Sequence, residues 1–209
     1  MSRIATPEPP PKYTVEEYLA IDEASDRKHE YWFGEIVAMP GGTYEHSSIT
    51  ANVIRELGNA TSTGPCVVHS PDLRVKPARS ALYFYPDASV VCDEPDFEYA
   101  ANGRPIAVRN PKVIVEVLSP STEWADMVDK QYHYLQIDSV AHYLRIEQYR
   151  PRIEVLTRNG DGSWRLSFAD GMEGVLDLPA VNARIPLAGI YAKVNFRPRP
   201  TPPKPTLLD

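Results

Sequence analysis

The stretch from Lys112 to Tyr134, "KVIVEVLSPSTEWADMVDKQYHY", decides the fold. Its opening is a β-branched run held between Pro111 and Ser119-Pro120, which predicts an interior strand. Among Val113, Ile114, Val115 and Val117 stands one carboxylate, Glu116. Burying an ionised carboxylate is expensive unless a cation or a metal faces it. The strand therefore raises the question of what Glu116 faces. Downstream, the pattern predicts a helix from about Thr122 to Ile137. Thr122, Asp126, Lys130 and Tyr134 recur at spacings of four and share one stripe, while Trp124, Val128 and Leu135 oppose them and should pack on the sheet.

Working outward, Thr14-Val-Glu-Glu17 is a capping box opening a short helix through Ile21. "HEYWFGEIVAMPGG" reads as two short strands turning at Gly34. His46 to Leu57 places Ile49, Val53, Ile54 and Leu57 on one helical face and ends at Gly58. "CVVHSPDLRVK" and "LYFYPDASVVC" read as strands, and the acidic "DEPDFEYAANGRP" as a solvated loop. After the central helix, "AHYLRIEQY", "RIEVLTRN" and "WRLSFAD" are further strands, with a hairpin turn at Asn159-Gly160, and "IPLAGIYAKV" closes the chain's fold. This order implies an α/β fold, a mixed β-sheet flanked by helices, with an extra N-terminal hairpin and C-terminal strands. Proline clusters mark a tail over 1–12 and another over 197–209, leaving a single domain over 13–196.

The 209 residues suffice for a substantial core, and the net charge of -6 speaks against a protein that coats nucleic acid, though not against a local positive groove. Cys66 and Cys92 are too few for a disulfide framework and lack zinc spacing, so buried free thiols are the expectation; on paired strands the two could face each other. No run has the length of a signal-peptide core or a membrane span, which gives a cytoplasmic expectation.

Two further acids sharpen the question of Glu116. Tyr85-Pro86-Asp87 places Asp87 just after a residue that cannot donate to a ladder, so pairing there should be interrupted and the acid freed toward a cleft. Asp87, Glu116 and Lys130 together suit a hard cation, Mg²⁺ or Mn²⁺, which takes oxygen ligands and commonly only one or two carboxylates. The bland reading is equally weighted on spacing alone: Asp87 caps a turn, Glu116 pairs with a core arginine, and Asp126-Lys130 is a surface pair.

At these residues a resemblance enters. "YPDASVV", "NPKVIVEVLSPST" and the stepped Asp126, Lys130 and Tyr134 resemble the Uma-type family described as "putative restriction endonuclease", within the PD-(D/E)XK nuclease superfamily. The likeness runs from "YTVEEYL" to "IYAKVNF" and takes in "HEYWFGEIVAM", "SPDLRV" and "QYRPRIE". It implies a restriction-endonuclease-like core and an endonuclease that hydrolyses DNA, with Asp87 and Glu116 as metal ligands and Lys130 as the catalytic lysine. The chain departs from the superfamily pattern at Leu118, where lysine is usual, and Lys130 on the following helix is the substitute. Supporting roles fall to Glu30 as outer ligand or base, or else an ordinary exposed strand acid, and to His46 for phosphate, water or the helix cap. Asp72 joins the acidic cluster or pairs with Arg74, and Asp126 positions Lys130. Arg74, Lys76 and Arg79 form a locally basic segment for substrate, or are simply solvated. A homodimer suits cleavage of both strands. The rival from another class is a catalytically silent nucleic-acid-binding or interaction module on the same fold, favoured by Leu118 and the acidic charge. A hydrolase for small phosphates, with a narrow closed pocket, is a third.

Overall fold

The structure is a computed structural model that describes residues 12–77, 81–118 and 124–198, and for 124–128 the backbone alone. Arg79 lies outside the described residues, and so does the side chain of Asp126.

Thr14 caps α1 (Val15–Ala24) through the expected reciprocal box with Glu17. Strands β1 (His29–Trp32) and β2 (Glu35–Ala38) form a hairpin whose turn residues Phe33 and Gly34 both have positive φ, 48° and 102°. That is the twist a two-residue hairpin needs. Thr43 caps α2 (Tyr44–Ala60), which runs through Gly58 instead of stopping there. Strand β3 (Val67–His69) follows, then β4 (Leu82–Tyr83), β5 (Ala88–Val91), β6 (Phe97–Tyr99), β7 (Pro105–Val108) and β8 (Val113–Leu118). Helix α3 (Trp124–Leu135) leads to β9 (His142–Glu147), β10 (Arg152–Arg158), β11 (Trp164–Asp170), β12 (Val175–Leu178), β13 (Ala183–Pro186) and the short α4 (Leu187–Ile190).

The main sheet has the order β11-β10-β9-β8-β5-β3 and is mixed, since β8 and β9 run parallel and every other neighbour is antiparallel. The parallel step requires a crossover, and α3 supplies it. The pleat then divides β8 between two layers. Val113, Val115 and Val117 pack with Ile49, Val53 and Leu57 of α2 in one core, and Ile114 packs with Tyr134 and Ile137 of the α3 side in the other. Glu116 shares the parity of Ile114, so its strand turns it toward α3. The mixed sheet flanked by helices, with the extra hairpin and C-terminal strands, is thus present.

Three local expectations are overturned. "LYFYPDASVVC" is not one strand: β4 pairs with β1 in a separate small sheet and β5 lies in the main one, with Tyr85-Pro86-Asp87 as the crossing between them. The acidic loop contains the β6–β7 hairpin, whose charges are satisfied by Arg109 bridging Asp96 and Glu98 and by Lys76 on Glu98. Cys66 and Cys92 are joined in a disulfide instead of standing free, because β3 and β5 pair with Val67 opposite Val91, bringing the next two residues together. Among the described residues, no helix is long and apolar enough to cross a membrane.

Candidate active site

The site begins where the ladder fails. The β5–β8 register pairs Ala88 with Val115, and continuing it would set Pro86 opposite Val117. Proline has no N–H to give. Asp87 takes over instead: its Oδ2 accepts the Val117 N–H at 2.7 Å. The proline that interrupts pairing therefore turns the neighbouring carboxylate inward, as the sequence predicts.

His46, in the first turn of α2, brings Nε2 to 3.2 Å from the same Asp87 oxygen. Burial would push the imidazole's pKa down, but Asp87 and the Val117 carbonyl outweigh it and hold the pKa above its ordinary value. The ring has room because residue 42 is glycine; a Cβ there would lie 2.8 Å from Nδ1. His46 is not the helix cap, since Thr43 takes that role and accepts the His46 N–H.

Lys130 projects from α3 and donates through Nζ to Glu30 Oε1 at 2.6 Å. Burial alone would lower its pKa, but Glu116, Glu30 and Asp87 together raise it, so the ammonium stays charged. Glu30 is correspondingly not an exposed strand acid: it is 5 % exposed and also accepts the Tyr85 N–H at 3.3 Å. Its place was readable from alternation, which sets it on the same face of β1 as Trp32.

Glu116 completes the group. Part of the residue opens on a cavity, yet its Oε1 is shut off from solvent and has no hydrogen-bond partner. Burial, and then the charges of Asp87 and Glu30 against the opposing pull of Lys130, push its carboxyl pKa up to about 8. The Tyr134 hydroxyl is close enough to influence that charge but reaches no hydrogen bond of ordinary geometry, and Tyr143 Oη is also buried without a partner. Three such oxygens in one place are uncommon in a folded protein.

The cavity measures about 290 Å³. Glu30, Glu35, Asp87, Glu116 and Asp129 contribute acid to its wall, with Lys130 and His46 as the basic side chains and Trp32, Val37 and Met39 among the apolar ones. Among the described residues no three His, Cys, Asp or Glu side chains form a ready metal cage. Two carboxylates with main-chain and water ligands are nonetheless a common Mg²⁺ set. The unpartnered Glu116 oxygen beside Asp87 fits such an ion.

Other expected site residues go elsewhere. Asp72 sits in an exposed turn and pairs with Lys28 at 2.5 Å, neither with the acidic cluster nor with Arg74. Arg74 is half-buried against Asp22, with Nη2 at 2.5 Å from Oδ2, and lies over the Tyr18 and Tyr85 rings. Lys76 is held by Glu98 at 2.6 Å. Both cations are already paired with an acid of this chain. The Asp22 network also receives the Tyr85 hydroxyl at 2.6 Å and the His29 N–H at 2.6 Å, anchoring the crossing that presents Asp87. Asp22 lies 7, 52 and 63 positions from His29, Arg74 and Tyr85 and shares no motif with them, so the network leaves no local mark in the sequence.

A family model described as "Putative restriction endonuclease", Uma2, matches residues 15–188. The chain belongs to the Uma2 family. Two uncharacterised proteins of Synechocystis sp. (strain ATCC 27184 / PCC 6803 / Kazusa) are similar to this Uma2 protein. One is 35 % identical over 188 residues, covering 90 % of this chain and 96 % of the relative; the other is 34 % identical over 154 residues, covering 74 % and 85 %. A crystal structure described as a "putative nuclease belonging to DUF820" from Anabaena variabilis ATCC 29413 superposes with a TM-score of 0.69 at 17 % identity, over 86 % of this chain and 97 % of that one. The Uma2 chain therefore has the restriction-endonuclease-like fold that its sequence resembles.

Proposed function

We propose that this Uma2 protein is an endonuclease that hydrolyses phosphodiester bonds of DNA with Mg²⁺ or Mn²⁺. The observation that carries the reading is Glu116, a carboxylate with a buried, unpartnered oxygen beside Asp87 in an acid-lined cavity. Asp87 and Glu116 would hold the ion. A divalent cation supplies an activated water and offsets charge at a phosphoryl oxygen.

The chain's own groups do the remainder. The Val117 N–H and His46 fix the Asp87 carboxylate. Glu30 aims the Lys130 ammonium, which is placed to neutralise charge growing on the phosphate as one P–O bond forms and another breaks. Such preorganised charge is worth most inside a water-poor cavity. Assembly as a two-fold pair, which would address both strands of a duplex, belongs to the same proposal.

The test is calorimetry of Mg²⁺ and Mn²⁺ binding to wild type and Asp87→Asn, with plasmid nicking followed in the same samples. Binding and nicking that both disappear in the variant are expected. A wild type that shows neither would favour the catalytically silent module, in which Lys130–Glu30 is simply a buried ion pair.

A further inference from the structure

With Arg74 and Lys76 already paired to Asp22 and Glu98, a polynucleotide needs other contacts. A second cavity, of about 790 Å³, adjoins the first, sharing His46, Asp87 and the Met39–Gly42 turn with it. Its remaining wall differs in chemistry. Arg27 and Lys28 line it, as do Ser47 and Thr50 of α2. Lys28 is already engaged by Asp72 and by the Pro71 carbonyl at 2.9 Å. Arg27 is exposed, and among the described residues its guanidinium makes no hydrogen bond or ion pair.

Thr50 supplies an independent sign. It is 8 % exposed, and its Oγ1 is buried without a hydrogen-bond partner, a state that folded proteins seldom leave unresolved. His46 and Ser47 of the first turn of α2 border the same groove, with their own N–H groups already taken by Thr43. The five acids of the first cavity would repel any phosphate that lacks a cation. The second cavity has one acid, Asp87, in its wall, and Arg27 is its cation without a partner among the described residues.

Resting on the proposed function, we infer that this groove takes the phosphate next to the scissile one in a polynucleotide strand, held by Arg27 and Thr50. His46 and Asp87, common to both cavities, mark the passage between the two phosphates.

The test uses the full chain and a short fluorescein-labelled DNA duplex, read by anisotropy in Ca²⁺ across a salt series, with Mg²⁺ binding measured by calorimetry alongside. Arg27→Glu is expected to weaken binding on the order of tenfold and to lower the slope of log Kd against log salt by about one. Thr50→Val, which keeps the shape and removes the hydroxyl, should weaken it by about threefold. Arg165→Glu, the same charge change on β11 at the opposite edge of the sheet, should bind as wild type does. Arg27→Glu with an unchanged Kd and slope, or an equal loss in Arg165→Glu, would overturn the groove while leaving the metal site intact. A wild type that binds Mg²⁺ but no DNA would overturn the groove and the nuclease reading together.

Discussion

Replacing Glu116 by glutamine separates a carboxylate kept for a metal from one kept for an ion pair. The side chain keeps its shape, loses its charge, and stays in the same β8 position. Glutamine keeps a buried acceptor at Oε1 but cannot ionise, so what the variant removes is a charge that burial and the neighbouring Asp87 and Glu30 disfavour, at about 1–3 kcal/mol or more. In EDTA at about pH 8, Glu116→Gln should therefore be more stable than wild type by about 1–3 kcal/mol. The pH dependence has a definite sign. The folded protein holds the Glu116 proton up to about pH 8, whereas the unfolded chain releases it near its ordinary value of 4.5. Wild type thus loses stability as pH rises through that window, and the variant does not. Urea denaturation followed by circular dichroism at about pH 5 and pH 8 would read the gap opening. Adding Mg²⁺ at about 100 times its Kd should then return about 2.7 kcal/mol to wild type and nothing to the variant. If Glu116 is instead part of the structural charge set that holds Lys130 together with Glu30, removing it weakens a buried ion cluster and destabilises the protein, by up to about 3–5 kcal/mol. A variant destabilised by that much in EDTA would refute the reasoning, since the two readings differ in sign.

His142, opposite Val113 at the start of β9, offers a second pH effect. It is buried, its Nε2 accepts the Ala180 N–H at 3.2 Å and its Nδ1 faces Thr157 Oγ1 at 3.1 Å, so the folded protein needs the neutral ring. Burial lowers its pKa to about 4, so its stabilisation is complete above the ordinary 6.5 and is lost as pH falls toward 4. Between about pH 7 and pH 5, wild type should lose up to about 2 kcal/mol more than His142→Gln does, and parallel urea curves would dismiss the idea. The Cys66–Cys92 bond closes a loop across a separation of 26 residues, so reduction should lower stability by roughly 3 kcal/mol, measured as the urea midpoint with and without dithiothreitol. An unchanged midpoint would show that the bond contributes nothing to the fold.

Much of this site was legible in one dimension, because each of its main parts leaves a local mark. A β-branched run with one acid, a proline ahead of Asp87 and a lysine in step on a helix are patterns in consecutive residues. What the sequence hid depends on partners far along the chain. Arg74 and Lys76 read as a basic segment, yet Asp22 and Glu98 neutralise them from 52 and 22 positions away. The β6–β7 hairpin read as solvated loop for the same reason: its acids are cross-strand partners of Arg109, and composition cannot tell a paired charge from a hydrated one. Alternation places Glu30 on the Trp32 face of β1 but says nothing of its partner Lys130, 100 positions away, and the disulfide depends on the β3–β5 register. Arg27 escaped notice because a lone arginine in a polar turn carries no periodicity.

The bond from the Val117 N–H to Asp87 bears on how this protein tolerates mutation. One carboxylate mends the sheet where Pro86 leaves it open and also stands at the cavity. Deleting such a partner strands a main-chain donor, about 1–3 kcal/mol out of a total stability of roughly 5–15. A lineage released from selection on activity would find Asp87 harder to discard than Lys130's surface neighbours, since the loss is felt first as unfolding. An intact aspartate at this position is then a record of foldedness as much as of chemistry, whereas the Glu116 Oε1 makes no such bond to the fold.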